Sequence, residues 1–232
     1  MPVDFARLIQ AVLVMALPAI FAITFHEAAH GYVAHKLGDD TAWQMGRVTF
    51  NPIRHIDVFG TILLPLLLFF ASNGQFLFGY AKPVPVRFDR LNRPRRDMVL
   101  VAAAGPGTNV LLAVISALLF YLVPFVPHYF HDWLVGNLQY SLVFNVILAV
   151  FNMIPLPPLD GGRVAVGLLP DALAIPLART ERYGMLILIT LLFFLPLIGQ
   201  QMGMDLNIIS HLIAKPVDWI LETIARVTGV SA

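Results

Sequence analysis

The feature that most limits what this chain can become is a group of ionisable residues inside an apolar run. No charged side chain occurs from Leu8 to Phe25, and the residues that follow read His26-Glu27-Ala28-Ala29-His30. Such a run is long enough to enter a bilayer as a helix of roughly 20 residues. An ionisable group at that depth costs about 2.5 to 3.5 kcal/mol on insertion scales, so it is kept where chemistry requires it. The chain holds only three glutamates, Glu27, Glu181 and Glu222, and one of them stands between two histidines. Residues i and i+4 share a helix face, so His26 and His30 can aim at one metal ion while Glu27 stands beside it as a base.

Composition supports the membrane setting. Hydrophobic residues make up 58% of the 232 and charged residues 12%, with a mean hydropathy of +0.78. These values exclude an ordinary soluble domain and describe a polytopic membrane protein. A net charge of +1 offers no basic field for nucleic acid. Cysteine is absent, which leaves His, Asp and Glu as the available ligands for a metal such as zinc.

Along the chain, the first span runs from about Leu8 to Lys36, with Pro18 as a kink and Gly38-Asp39-Asp40 as its stop. Gly46 to Phe50 alternates like a short strand, and Asn51-Pro52 turns it. Gly60 to Ala71 is apolar but too short for a full crossing, so a re-entrant or interfacial segment is expected. Gly79 to Val86 reads as an extended, proline-stiffened strand. Further spans are expected over Met98 to Val123, Asn137 to Phe151 and Tyr183 to Ile198, and an amphipathic interfacial helix over His211 to Val227. The expected fold is therefore an all-α polytopic membrane protein of about four to six transmembrane helices with a small membrane-embedded re-entrant β element. It forms one domain over residues 1–232, with a catalytic core over about 8–165 and C-terminal helices over about 183–232.

Cations set the orientation. Lys82, Arg87, Arg90, Arg93, Arg95 and Arg96 make the loop before Met98 cytoplasmic, whereas Phe125 to Gly136 has no Lys or Arg and lies outside. His26 and His30 then fall within roughly 10 to 15 Å of the cytoplasmic end of their helix.

A catalytic zinc takes three protein ligands and keeps a fourth position for water. Asp160 is the outstanding candidate for the third ligand. It follows a span in the broken segment Asn152-Met153-Ile154-Pro155-Leu156-Pro157-Pro158-Leu159-Asp160-Gly161-Gly162, and irregular backbone at membrane depth is tolerated only where it lines a protein-buried or watered cavity.

Taken in order, the His26–His30 motif, Gly46 to Pro52, Gly79 to Val86, Ala104-Gly105-Pro106-Gly107-Thr108-Asn109 and Asn152 to Gly162 resemble the successive motifs of the site-2 protease family, which are intramembrane zinc metalloproteases. The resemblance spans roughly Ala22 to Gly162. It implies one zinc ion per chain held by His26, His30 and Asp160, with Glu27 as catalytic base and Asn152 binding substrate. It also implies, less directly, a substrate role for Asn109, where Gly107-Thr108 departs from the family pattern. The Gly79 to Val86 strand resembles the edge that pairs with an unwound substrate, bringing Tyr80, Lys82 and Pro83 to the substrate. The implied activity is hydrolysis of peptide bonds within or near transmembrane helices. The short outer loop has no room for the peptide-binding domain that some members insert there, and no regulatory domain is expected after Ala232. The expectation is a minimal enzyme of the plasma membrane, without PDZ or CBS domain. Its active site lies near the cytoplasm, and its partners are a transmembrane substrate, the bilayer and any separate regulatory membrane proteins. The rival reading is a metal-ion transporter or a non-catalytic metal-binding membrane protein, which should carry polar ligands on several spans.

Overall fold

The structure is a computed structural model that describes residues 5–71 and 79–230, with side chains from residue 14 onward. Its regular elements are all helical among the described residues. Helix α1, Phe5–Lys36, is 32 residues long, about 48 Å at 1.5 Å per residue. It carries Pro18 internally and ends where Gly38 takes a φ of 107°, a left-handed stop open to glycine. After α2, Thr41–Gln44, and a single 3₁₀ turn over Pro52–His55, a π-helical stretch Val58–Leu63 runs into α3, Leu64–Ala71. The combined helix Val58–Ala71 is apolar but shorter than a membrane crossing, as the length of the apolar run predicts.

Helix α4, Pro94–Leu119, begins with proline at its first position, and the Asp97 carboxylate reaches back to accept the Arg93 N–H at 2.8 Å. It is the central element, packing against α1, α5, α6 and α10. Helix α5, His131–Asn152, leads through the proline-rich turn, with a cis Pro157–Pro158 bond, into α6, Asp160–Leu168. Helices α7, Asp171–Arg179, and α8, Glu181–Ile189, follow. A π-helical stretch Thr190–Phe194 joins α8 to α9, Leu195–Met202. Helix α10, Ile208–Thr228, closes the chain.

Among the described residues, three helical stretches are long and apolar enough to cross a membrane: Pro94–Phe125, His128–Asn152 and Glu181–Met202. Their packing agrees with that setting. The central core uses Ala113, Ala117, Leu142, Val146, Val217 and Ile224, and small residues at such contacts let backbones approach closely where burial from water supplies no drive. The larger side chains point outward instead: Leu111, Leu186 and Phe194 are all more than half exposed, an arrangement suited to lipid rather than water.

The C-terminal amphipathic segment forms α10, which turns Val217 and Ile224 onto α4 and α5. Its apolar stripe has the same period whether it meets lipid headgroups or helices, so periodicity alone could not separate the two. Neither Gly46 to Phe50 nor Gly79 to Val86 forms a strand among the described residues. The N–H groups of Tyr80, Lys82 and Val84, alternate residues and so one edge of an extended chain, are bonded to Gly60 O, His55 O and Glu27 Oε2, while Pro83 and Pro85 have no N–H to give from the other edge. The segment is a strap bolted to the protein rather than an open ladder. Residues 72–78, which precede it, lie outside the described residues.

Candidate metal centre

Helix α1 presents Ala22, His26 and His30 as one stripe at spacings of four. Helix α4 answers with Val101, Gly105 and Asn109, also spaced by four and running the opposite way. His30 Nδ1 meets Val101 O at 2.7 Å and His26 Nδ1 meets Asn109 Oδ1 at 2.6 Å. The glycine between these two partners has a purpose: a Cβ at Gly105 would stand 2.6 Å from His26 Nε2 and would also strike His30 Nε2. Only a glycine lets α4 come this close to both imidazoles.

Asp160 arrives from the first turn of α6. The turn that delivers it folds over its own helix: a Cβ on Gly161 would meet Ile154 O at 2.5 Å, and one on Gly162 would meet the Leu156 carbonyl carbon at 2.6 Å. The two glycines after Asp160 thus allow the backbone of residues 153–157 to lie against α6. The carboxylate Oδ2 then sits 3.1 Å from His26 Nε2 and 3.3 Å from His30 Nε2, and the two Nε2 atoms are 3.0 Å apart. His26 is 6% exposed, His30 9% and Asp160 7%.

The protons decide what this cluster is for. Both Nδ1 atoms face carbonyl-type oxygens, which can only accept, so each imidazole carries its proton on Nδ1 and turns a lone pair on Nε2 inward. The orientation of Asn109 is fixed independently, because its Nδ2 donates to Ala22 O at 3.2 Å and to Asn145 Oδ1 at 2.8 Å. Asp160 Oδ2 is buried without a hydrogen-bond donor. With both imidazoles neutral, as metal ligation requires, two lone pairs and a carboxylate oxygen converge with no proton between them, an arrangement that repels unless a cation occupies its centre. Two imidazole nitrogens and one carboxylate oxygen suit zinc, and the three ligand atoms lie within 4.8 Å of one another. No other group of three or more His, Cys, Asp or Glu side chains converges in this way among the described residues.

Around this centre, Glu27 is half-buried and its Oε2 accepts the Val84 N–H at 2.7 Å. Arg47 Nη2 donates to Lys82 O at 2.9 Å and to Pro83 O at 3.3 Å. Lys82 and Pro83 are exposed and Tyr80 half-buried. Asn152, on the last turn of α5, donates from Nδ2 to Leu148 O at 2.9 Å within its own helix. Asn109 is 0% exposed and its amide is spent on His26, Ala22 and Asn145. Its surroundings make it the partner that orients His26. Sequence reasoning missed the Val101 carbonyl, the Val84 amide and Arg47. Main-chain groups leave no mark in side-chain identity, although Pro83-Val84-Pro85, with one N–H among three residues, is a visible signal in retrospect.

Apolar spanning helices around a buried two-histidine, one-aspartate centre define a membrane-embedded zinc metalloprotease. The profile of Peptidase family M50 matches residues 14–195, and the chain belongs to that family, the site-2 proteases. It is 38% identical over 190 residues to "Putative zinc metalloprotease YwhC" of Bacillus subtilis, covering 79% of this chain and 81% of the relative. It is 28% identical over 200 residues to "Putative zinc metalloprotease Rip2" of Mycobacterium tuberculosis, covering 84% and 74%. To "Putative zinc metalloprotease MJ0611" of Methanocaldococcus jannaschii it is 31% identical over 143 residues, 60% of this chain and 62% of the relative. No solved structure matches it.

Proposed function

We propose that this protein hydrolyses peptide bonds within or near transmembrane helices of membrane-protein substrates, with His26, His30 and Asp160 holding zinc and Glu27 moving the protons. The observation that carries the reading is the convergence of His26 Nε2, His30 Nε2 and Asp160 Oδ2 beside a half-buried glutamate. When bound, zinc supplies Lewis acidity that polarises a carbonyl and makes water acidic enough to react near neutral pH.

The chain's own residues supply the rest. Glu27 takes a proton from the attacking water as its oxygen adds to the scissile carbonyl carbon. It returns that proton to the amine nitrogen as the C–N bond breaks. Asn109 and the Val101 carbonyl keep both imidazoles turned inward through this sequence. Substrate must arrive locally unwound, because an intact helix has its carbonyls bonded. Asn152 and the Tyr80, Lys82 and Pro83 side of the strap are the surfaces we assign to the unwound segment. Helix α1 completes the membrane domain as a further span, Val58–Ala71 re-enters from the cytoplasmic side, and the centre lies toward the cytoplasmic face of the plasma membrane. A transporter would need ligand clusters along a path through the spans, and one cluster beside a glutamate favours catalysis.

The test is cleavage of a model transmembrane substrate by purified protein in detergent or vesicles. Wild type should cleave; Glu27→Gln and chelator-treated protein should not. Undiminished cleavage by Glu27→Gln would remove the mechanism.

A further inference from the structure

The run Pro83-Val84-Pro85 contains a single main-chain N–H, and that one donor is spent on Glu27 Oε2 at 2.7 Å. The rest of the strap is built to hold it there. Val84 is 7% exposed and sits against α1 over Gly31, where an added Cβ would be 3.0 Å from Val84 Cγ1. On one side Lys82 N–H is tied to His55 O at 2.8 Å; on the other Arg87 N–H is tied to Asp39 Oδ2 at 2.6 Å. The carbonyl of the same Pro83–Val84 peptide accepts from Arg47 Nη2. Arg47 is 7% exposed, yet no carboxylate lies within ion-pair distance of it among the described residues. One peptide group therefore stands between a buried guanidinium and the glutamate of the metal-binding motif. A donor–peptide–acceptor chain of this kind polarises in one direction, so each bond strengthens the other.

We infer that the Val84 main-chain N–H is the positioning group for Glu27, and that Arg47 acts on the same carboxylate through the Pro83–Val84 peptide. Held at Oε2, the carboxylate keeps one rotamer and exchanges protons at Oε1. A glutamate side chain on a helix otherwise has several rotamers open to it, and proton transfer demands one. The strap thereby has a task apart from contacting substrate: it fixes the base. This inference rests on the proposed role of Glu27.

The experiment replaces the N–H alone. The α-hydroxy analogue of valine, introduced at position 84, turns the Pro83–Val84 amide into an ester and removes the donor while keeping the side chain. Wild type, this ester variant, Val84→Ala, Val84→Pro, Arg47→Gln and Glu27→Gln are compared for kcat, KM, bound zinc per chain and melting temperature. Loss of the donor is expected to lower kcat roughly 10-fold or more, with KM and bound zinc close to wild type. Val84→Pro should follow the ester variant, Val84→Ala should retain the larger part of kcat because it keeps the N–H, and Arg47→Gln should lower kcat in the same direction as the ester. An unchanged kcat in the ester variant, or a loss carried by KM, zinc content or melting temperature, would overturn the positioning role. Retained cleavage in Glu27→Gln would instead overturn the base assignment beneath it. An inactive Glu27→Gln with a fully active ester variant sinks the positioning role alone.

Discussion

Asn109 and His26 are separated by 83 residues of chain and by 2.6 Å in space, Oδ1 against Nδ1. That contact fixes which nitrogen of His26 is free. Asn109 passes the constraint onward, since its Nδ2 is bound to Asn145 Oδ1 and Asn145 is bound in turn to Ser141 O at 2.9 Å. The orientation of an imidazole on α1 is thus referred to two further helices.

Asn109→Ala should therefore weaken zinc binding about 10- to 100-fold, the usual cost of losing an outer partner of a ligating histidine. Asn109→Asp retains an acceptor for Nδ1 and should fall between wild type and Ala. Competition with a chromophoric chelator measures both; equal affinity in Asn109→Ala and wild type would show that His26 needs no such support.

Asp160→Ala leaves two ligands and should lose stoichiometric zinc. Bound metal also stabilises the fold by mass action, about 2.7 kcal/mol at a free concentration 100 times Kd. Wild type should accordingly melt at a lower temperature after chelation, whereas Asp160→Ala should melt at one temperature with or without chelator. Metal analysis and a thermal scan check the two halves separately.

Gly105→Ala separates the site from the helix that carries it. Alanine favours a helix interior over glycine by about 1 kcal/mol, so α4 itself should not weaken. The new Cβ would still press on His26 Nε2 at 2.6 Å, so zinc content and activity should drop in a protein that remains folded. A fully active Gly105→Ala would mean that the two helices separate readily.

Asp39 gives a pH dependence outside the membrane. Burial alone would raise its pKa, but hydrogen bonds from Thr41 Oγ1, the Arg87 N–H and the Thr41 N–H, with the nearby Arg90 charge, outweigh it and hold the carboxyl below its ordinary value. A carboxylate with a depressed folded pKa adds stability above its unfolded value, about 3.9. That stability is lost as pH falls through the folded pKa. Because Asp39 anchors the Arg87 end of the strap, melting temperature should decline below about pH 4, and Asp39→Asn should flatten that decline. Parallel acid limbs in the two proteins would assign the effect to other groups.

The expected spans over Met98 to Val123, Asn137 to Phe151 and Tyr183 to Ile198 lie within helices of matching character, because a run of apolar residues records its own environment locally. The same holds for His26 and His30, whose spacing places them on one face whatever surrounds them. Asp160 was legible less directly, through the proline- and glycine-rich backbone around it. The contacts of the strap were not legible, because Pro83 and Pro85 announce an extended chain without saying what its few donors meet.

The sequence by itself determined the membrane class of the protein, the position of its helices and which side chains could serve a metal, all properties of residues and their local surroundings along the chain. Only the tertiary structure decided how those parts are tuned. Asn109 turned out to meet His26, Gly105 to make room for two ring nitrogens, and the Val84 amide to bind Glu27. These are distances between atoms of different helices and loops, several of them main-chain atoms common to every residue, and no local pattern in the sequence encodes them.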